Sequence, residues 1–366
     1  MRLVLKRLFA ALAVLLATAC LCACGYSFND VSTPYDGMNL KKYIKLGEYR
    51  IQLTQTEIDN MLESERKAFL KSFATVNLIG DTANNIPDRA IKKGDNVTIS
   101  TEVKVYGENG ELIPLDELLA GEEAEDSLSS ALKDYTVEDV GNGYFLPEIE
   151  NALIGSWTGY IEYVDVQYDD KVQTEQLKNK KVQITVIISK VQEVVLPEYT
   201  DEFVASKTDY DTVAEFETAL TKDLILSYIW NVYNDSAEVI KYPTDRVIKY
   251  QTEFTEYYDY LARSANMTLD EYLKSIGTDI DGYADRALSY AQGTVKEEMV
   301  LYYTVERENL GFTGEEYKAY ANSVLDHYGS DNIEMLENTY GREMIRRAYY
   351  WELAKDFLYE NLEIKP

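Results

Sequence analysis

Cysteine is nearly missing from this chain, and what there is sits at one end: Cys20, Cys22 and Cys24 are the only three in 366 residues. Beyond residue 24 no thiol is left for a disulfide, a thiolate nucleophile or a zinc site, so the body must be held by packing. Histidine is scarcer still. His327 stands alone on a helical stretch, which leaves Ser-His-Asp and Cys-His arrangements and His-based zinc sites without parts and makes a surface or packing role the simpler reading. Basic charge is also short: 36 Lys and Arg face 64 Asp and Glu. Without Arg2, Lys6 and Arg7 the balance is 33 against 64, a formal charge of −31. Such a surface excludes nucleic acid as a partner and favours basic or unfolded polypeptides over acidic ones.

What is present at the start has a clear order. Arg2, Lys6 and Arg7 precede an apolar run from Leu8 to Leu16, and small residues lead into Leu21-Cys22-Ala23-Cys24. This is the layout of a secretion signal, and the run is shorter than the roughly 20 apolar residues of a spanning helix. Leu21 and Ala23 give Cys24 the aliphatic and small neighbours of a lipobox, whereas Ala17 and Ala19 suit Cys20 less well. The expectation is a leader over 1–24 and a lipid on Cys24, which would place the protein on the extracytoplasmic face of a bacterial cell membrane. The competing reading is an ordinary cleaved leader that ends in cysteines. About 340 residues then remain, more than one core usually holds.

Residues 25–39 are polar and aperiodic and read as a tether, within a segment that extends to residue 87. There Tyr49 to Leu53 suggests a strand, Thr54 with Glu57 a capping box before a helix carrying Ile58, Met61 and Leu62, and Asn77 to Arg89 a connector. From 88 to 196 the pattern changes. Val97, Ile99, Val103 and Val105 alternate with Thr98, Ser100, Glu102 and Lys104, and β-rich blocks follow at Gly159–Tyr168 and Val182–Val195. A small antiparallel sheet follows from this, with the acidic stretch Gly121–Asp126 as a surface loop. Gly141-Asn142-Gly143 lacks the strand and helix of a phosphate loop and reads as a turn. After Pro197 long helical patterns take over. Capping boxes at Thr212/Glu215, Thr268/Glu271 and Thr313/Glu316, and Pro243 in a first turn, predict helices near 212–240, 244–264, 269–276, 280–309, 314–327 and 331–361 in an all-α region over 197–366. Asp279-Ile280-Asp281-Gly282 is too short for a calcium loop and reads as a helix start.

A β-rich module, a proline-marked junction and helical hairpins, in this order, resemble the trigger factor family. The clearest match is Leu196-Pro197-Glu198-Tyr199-Thr200-Asp201-Glu202-Phe203, followed by Tyr210 to Leu220, Tyr242-Pro243 and Leu269-Asp270-Glu271-Tyr272-Leu273. The module over 88–196 resembles that family's FKBP-type prolyl isomerase domain: Gly94 to Ile99 looks like its first core strand, Phe145 to Gly155 like its short helix and closing glycine, and Val182 to Val191 like its last strand. The resemblance spans roughly 88 to 330. No G-F-R-x-G-K-type ribosome-docking loop is present. It implies an α+β protein, with a small antiparallel FKBP-like domain and an all-α trigger factor C-terminal-type domain, that binds unfolded or newly secreted polypeptides without ATP or any cofactor and without the ribosome.

The resemblance also implies a peptide pocket at Ile113, Phe145, Ile149, Tyr168 and Ile184. An FKBP-type pocket lowers the amide rotation barrier of about 18–20 kcal/mol with a dry aromatic cradle. Here Thr101, Ile113, Ile149 and Ile184 stand where aromatics are expected and Tyr168 keeps its ring. Isomerase activity is therefore expected to be weak or absent, unless Tyr144, Phe145, Tyr160 and Tyr163 rebuild the cradle. The client surface is expected at Tyr257, Tyr258, Tyr260, Tyr302 and Tyr303, because tyrosine offers apolar area with a water-tolerant tip. The plainer reading puts such rings in stripes between paired helices. An adhesion or substrate-binding lipoprotein on the same scaffold is the non-enzymatic alternative.

Overall fold

The structure is a computed structural model that describes residues 32–366 apart from 85, 87–88, 120–132, 173–174 and 279. The leader, Cys24, the first part of the expected tether and the acidic stretch 121–126 lie outside the described residues. The fold is α+β. The chain forms two compact units, one from the residues up to Glu65 together with Thr212–Pro366, the other from Arg66–Asp211.

The first unit begins with a 3-10 turn at Leu40–Lys42, β1 (Ile44–Lys45), β2 (Gln52–Thr54) and α1 (Gln55–Lys71), within which the division between the units falls. The second unit carries β3 (Thr75–Asp81), β4 (Asn96–Tyr106), β5 (Leu112–Pro114), α2 (Leu115–Leu119), β6 (Lys133–Val137), α3 (Pro147–Leu153), β7 (Ile161–Gln167), β8 (Lys181–Val195) and α4 (Asp201–Lys207). The chain then returns to the first unit with α5 (Val213–Ser236), β9 (Glu238–Val239), α6 (Thr244–Ser264), α7 (Leu269–Ser275), α8 (Ile280–Glu308), α9 (Gly314–Ser323), α10 (Leu325–Tyr328), α11 (Ile333–Tyr340), α12 (Arg342–Glu360) and β10 (Glu363–Lys365). Among the described residues no helix is long and apolar enough to cross a membrane.

In the second unit the sheet runs β3-β8-β4-β5, with β6 also on β4 and β7 also on β8, all antiparallel. The period-two pattern dictates the faces. Val97, Ile99, Val103 and Val105 of β4 and Val182, Ile184, Val186 and Ile188 of β8 turn inward, and Ile149 and Leu153 of α3 close over them. Pro147 opens α3 without costing a hydrogen bond. The stretch expected as a connector from residue 77 instead forms most of β3, paired with Glu193, Gln192 and Val191 of β8. It escapes a periodicity reading because only Gly80 of its seven residues is buried.

The helical unit also departs from expectation in four places. The tether does not run free to residue 39: Tyr35 is 3% exposed and packs, with Leu40 and Ile44, into the same core as Ile229, Tyr233, Val295, Met299 and Leu336. The expected helix 331–361 is two helices, broken at Gly341, whose φ of +84° suits glycine and stops α11. The expected 314–327 likewise breaks at Val324. Nor is the region after 197 purely α. β9 pairs with β1 and β10 runs parallel to β2, so two short strands from the start of the chain complete this unit.

Candidate functional site

In the β-rich unit α3 and the turn before it are organised by one buried carboxylate. Glu150 is 3% exposed and accepts the backbone N–H of Gly141 (2.7 Å) and Gly143 (3.0 Å) through Oε2 and that of Phe145 (2.7 Å) through Oε1. Gly141 and Gly143 have φ of +90° and +83°, which side-chain-bearing residues rarely adopt, so the loop can wrap the carboxylate. That wrap sets Phe145 beside Tyr135, ring centroids 6.0 Å apart. Sequence reading missed Glu150. The signal was an acid on the helix next to a Gly-x-Gly turn.

Four of the expected pocket residues meet. Ile149 and Ile184 are fully buried in the core, and Phe145 and Tyr168 pack half-buried against it. Ile113 is half-buried on β5 opposite Val105 and is not part of that cluster. Thr101 is also fully buried, and its Oγ1 has no hydrogen-bond partner among the described residues. Of the aromatics that could rebuild a cradle, Tyr144 is 89% exposed, and Tyr160 and Tyr163 also stand in solvent.

The helical unit carries the aromatic concentration. Phe254 stacks on Tyr258 at 4.7 Å, Tyr258 meets Tyr257, Tyr272 and Tyr283, and Phe254 meets Tyr290 at 5.3 Å, so a ring ladder joins α6, α7 and α8. Helical spacing places Phe254, Tyr257 and Tyr258 on one face of α6, and there Tyr257 and Tyr258 are half-buried while Tyr260 is exposed. Tyr302 and Tyr303 do not belong with them on an open face. Tyr302 is 4% exposed between the rings of Tyr35 and Tyr350, and Tyr303 is half-buried against the same core. Sequence reading missed the apolar side chains that do stand free on this hairpin: Ile248, Met267, Ile276, Ile280 and Leu288. They lie off the apolar stripes that spacing picks out, so periodicity does not mark them.

The root of the hairpin is ionic. Arg246 of α6 bonds Glu298 of α8 at 2.7 Å, both nearly inaccessible, and Arg347 of α12 reaches the same carboxylate at 3.1 Å. Tyr35 donates its hydroxyl to Glu298 at 3.0 Å and Tyr250 donates to the same group. Burial opposes the charge on Arg246, but Glu298 and Glu343 outweigh it and raise its pKa, so the guanidinium stays ionised. Burial, then the Glu298 charge, pushes the Tyr35 hydroxyl well above its ordinary value. Among the described residues no group of His, Cys, Asp or Glu is arranged to hold a metal ion.

No family profile matches the chain. It is 23% identical over 348 residues to the trigger factor of Caldicellulosiruptor saccharolyticus, covering 90% of this chain and 72% of that one. With the trigger factor of Acetivibrio thermocellus the identity is 24% over 343 residues, covering 89% and 74%. A shorter stretch of 188 residues, 49% of this chain and 42% of the relative, is 31% identical to the trigger factor of Trichlorobacter lovleyi. Among solved structures it is similar to one titled for promiscuous substrate recognition in the folding and assembly activities of the trigger factor chaperone, with a TM-score of 0.31, 16% identity, and 87% and 73% of the two chains covered. Along about nine tenths of its length this is a trigger-factor-like protein.

Proposed function

We propose that this chain is a membrane-anchored, extracytoplasmic folding factor that binds unfolded or newly secreted polypeptides without ATP, and whose isomerase-like unit has lost most or all of its activity. The observation that carries the reading is the hairpin of α6, α7 and α8. Beside the aromatic ladder there, Tyr260, Met267, Ile276 and Ile280 stand exposed, apolar area that an unfolded client would cover. The similarity to trigger factors supports the same reading. Anchoring rests on Leu21-Cys22-Ala23-Cys24, and independence from the ribosome on the missing G-F-R-x-G-K-type loop.

Loss of isomerase activity is supported by the side chains at the expected pocket. Ile149 and Ile184 are fully covered, Thr101 brings a hydroxyl in place of a ring, and Tyr160 and Tyr163 stand in solvent. A fully covered aliphatic side chain cannot press on a substrate amide unless the core opens. Two assays on the purified protein test the proposal. Stoichiometric amounts should suppress aggregation of a chemically unfolded substrate, and Tyr260→Ser with Ile276→Ser should weaken this at unchanged melting temperature; no suppression by the wild-type chain overturns the chaperone reading. A protease-coupled proline-peptide assay should give turnover far below that of a working FKBP domain, and comparable turnover overturns the loss of activity. Radiolabelled palmitate should label the wild-type chain in cells and not Cys24→Ala.

A further inference from the structure

β7 has one paired side. It joins β8 in the register Ile161 opposite Ile187 to Gln167 opposite Lys181, and among the described residues no strand pairs with its other side. The ladder fixes which backbone groups are left over. Ile188 N–H donates to the Tyr160 carbonyl and Tyr168 N–H donates to the Lys180 carbonyl, both at 3.0 Å. In an antiparallel pair the bonded positions alternate, so Glu162, Val164 and Val166 turn both N–H and C=O toward β8, flanked by the Tyr160 carbonyl and the Tyr168 N–H. Those of Ile161, Tyr163, Asp165 and Gln167 point outward, at the open edge.

The same residues turn their side chains to the solvent face. Ile161 is 50% and Tyr163 66% exposed, with Trp157 (38%) and Tyr160 (57%) in the turn just before them. Proteins usually blunt such an edge with Pro, Lys or a bulge. β7 reads Ile-Glu-Tyr-Val-Asp-Val-Gln and its register with β8 is unbroken, whereas the ladder of β3 is interrupted between Leu78 and Gly80. The charge is one-sided as well: between Trp157 and Asp170 the chain has Glu162, Asp165, Asp169 and Asp170 and no basic residue. Asp165 is engaged by Lys181 at 2.6 Å and by Tyr106 at 2.8 Å, whereas Glu162 accepts the neutral Ser156 hydroxyl at 2.6 Å and, among the described residues, no ion pair engages Glu162, Asp169 or Asp170.

We infer that the open edge of β7 takes an extended polypeptide segment as an added strand, one in which apolar side chains alternate with basic ones. Backbone bonding to Ile161, Tyr163 and Asp165 would hold the segment, Trp157, Ile161 and Tyr163 would cover its apolar side chains, and the carboxylates would favour its basic ones. For the identity of the partner this rests on the folding-factor reading, but it assigns a second polypeptide site, in a different unit from the α6–α8 hairpin and with a different mode of binding.

The test is fluorescence anisotropy on the full chain with a labelled eight-residue peptide alternating valine and lysine. The expected result is saturable binding that weakens at least tenfold when the peptide backbone is N-methylated and at least tenfold when glutamate replaces lysine. Tyr163→Pro removes one outward N–H and no bond to β8, and a proline is tolerated on such an edge; it should weaken binding at least tenfold. Ile161→Lys with Tyr163→Lys should do the same, and circular dichroism melting shows whether each variant is folded. Equal binding by the folded variants, or by the methylated peptide, overturns the edge site. So does a wild-type dimer that both variants abolish, since the occupant would then be a second copy. Aggregation suppression read in parallel separates the two proposals: its absence in the wild-type chain overturns the folding-factor reading whatever the peptide does.

Discussion

The two units solve the burial problem with different side chains. The β-rich unit closes on aliphatic residues, with Val97, Ile99, Ile149, Val182, Ile184 and Val186 all fully buried, and its buried Glu150 is met by backbone donors from one short loop. The helical unit packs rings against rings and buries an ion network, so that Tyr35, Tyr250, Arg246 and Arg347 converge on a single carboxylate from three separate segments. A core of small branched side chains leaves nothing adaptable for a ligand. A scaffold of tyrosines leaves large, partly polar surfaces wherever the rings are not covered. The contrast is the reason that client binding is proposed for the hairpin and that weak or absent isomerase activity is proposed for the β-rich unit.

The contrast is broken most directly at Glu298. In Glu298→Ala, Arg246 and Arg347 lose the anion between them, and removing one member of a buried ionic group typically costs about 3–5 kcal/mol. Trp230, which is buried, and Trp351, whose ring lies 5.7 Å from it, report on the helical unit. Their fluorescence should show a transition at markedly lower denaturant, while the β-rich unit's transition stays in place. A shift of both transitions together would show that the units do not unfold independently.

The corresponding carboxylate in the other unit should matter less. Glu150→Ala removes the acceptor for three N–H groups, and bonds to a charged acceptor are worth about 1.5–3 kcal/mol each. The loop it serves is exposed at Gly141, Gly143 and Tyr144, so water can take the vacated donors. A loss of about 2 kcal/mol is expected, with early amide exchange confined to 141–145 on hydrogen-exchange mass spectrometry. The exposed capping carboxylates come next. Backbone and side-chain hydrogen bonds from Thr54, Thr268 and Thr313 lower the pKa of Glu57, Glu271 and Glu316. A depressed folded pKa means stability that is present above the unfolded value of about 4.3 and fades as pH falls through the folded one. Acid melting of the helical unit should therefore retain a dependence on pH below 4, reduced when all three threonines are replaced by alanine.

How much of this was legible follows from where the information lies. The alternation in β4 and β8 is plain because one face of each is buried and the other is not. β3 carries no such contrast and was missed. Three capping threonines announced their helices locally, but Gly341 was overlooked because apolar spacing runs on from Leu336 to Ile345 across the break. The docking of Tyr35 was beyond any local reading: its partner, Glu298, is 263 residues away and the sequence around it is polar. For the candidate site, the stripe at Phe254, Tyr257 and Tyr258 could be read from spacing. Spacing could not tell that Tyr302 faces two other rings rather than solvent, since a helix buried on several sides has no distinctive outer face.

The smallest effect expected is also the one with an unusual sign. Thr101 sits inward on β4 between Ile99 and Val103, and its hydroxyl is buried without a hydrogen-bond partner among the described residues. An unmet buried hydroxyl costs about 1–3 kcal/mol, while an apolar group of the same shape in its place is neutral or better. Thr101→Val keeps the volume and branching, so it should raise the stability of the β-rich unit by about 1 kcal/mol, seen as a higher midpoint of that unit's transition with the helical transition unmoved. If the hydroxyl is instead kept for contact with a bound peptide, the same substitution would stabilise the fold and weaken proline-peptide binding to that unit. Melting and binding measured side by side on this one variant therefore decide whether the position where an aromatic was expected is merely a closed core or still part of a site.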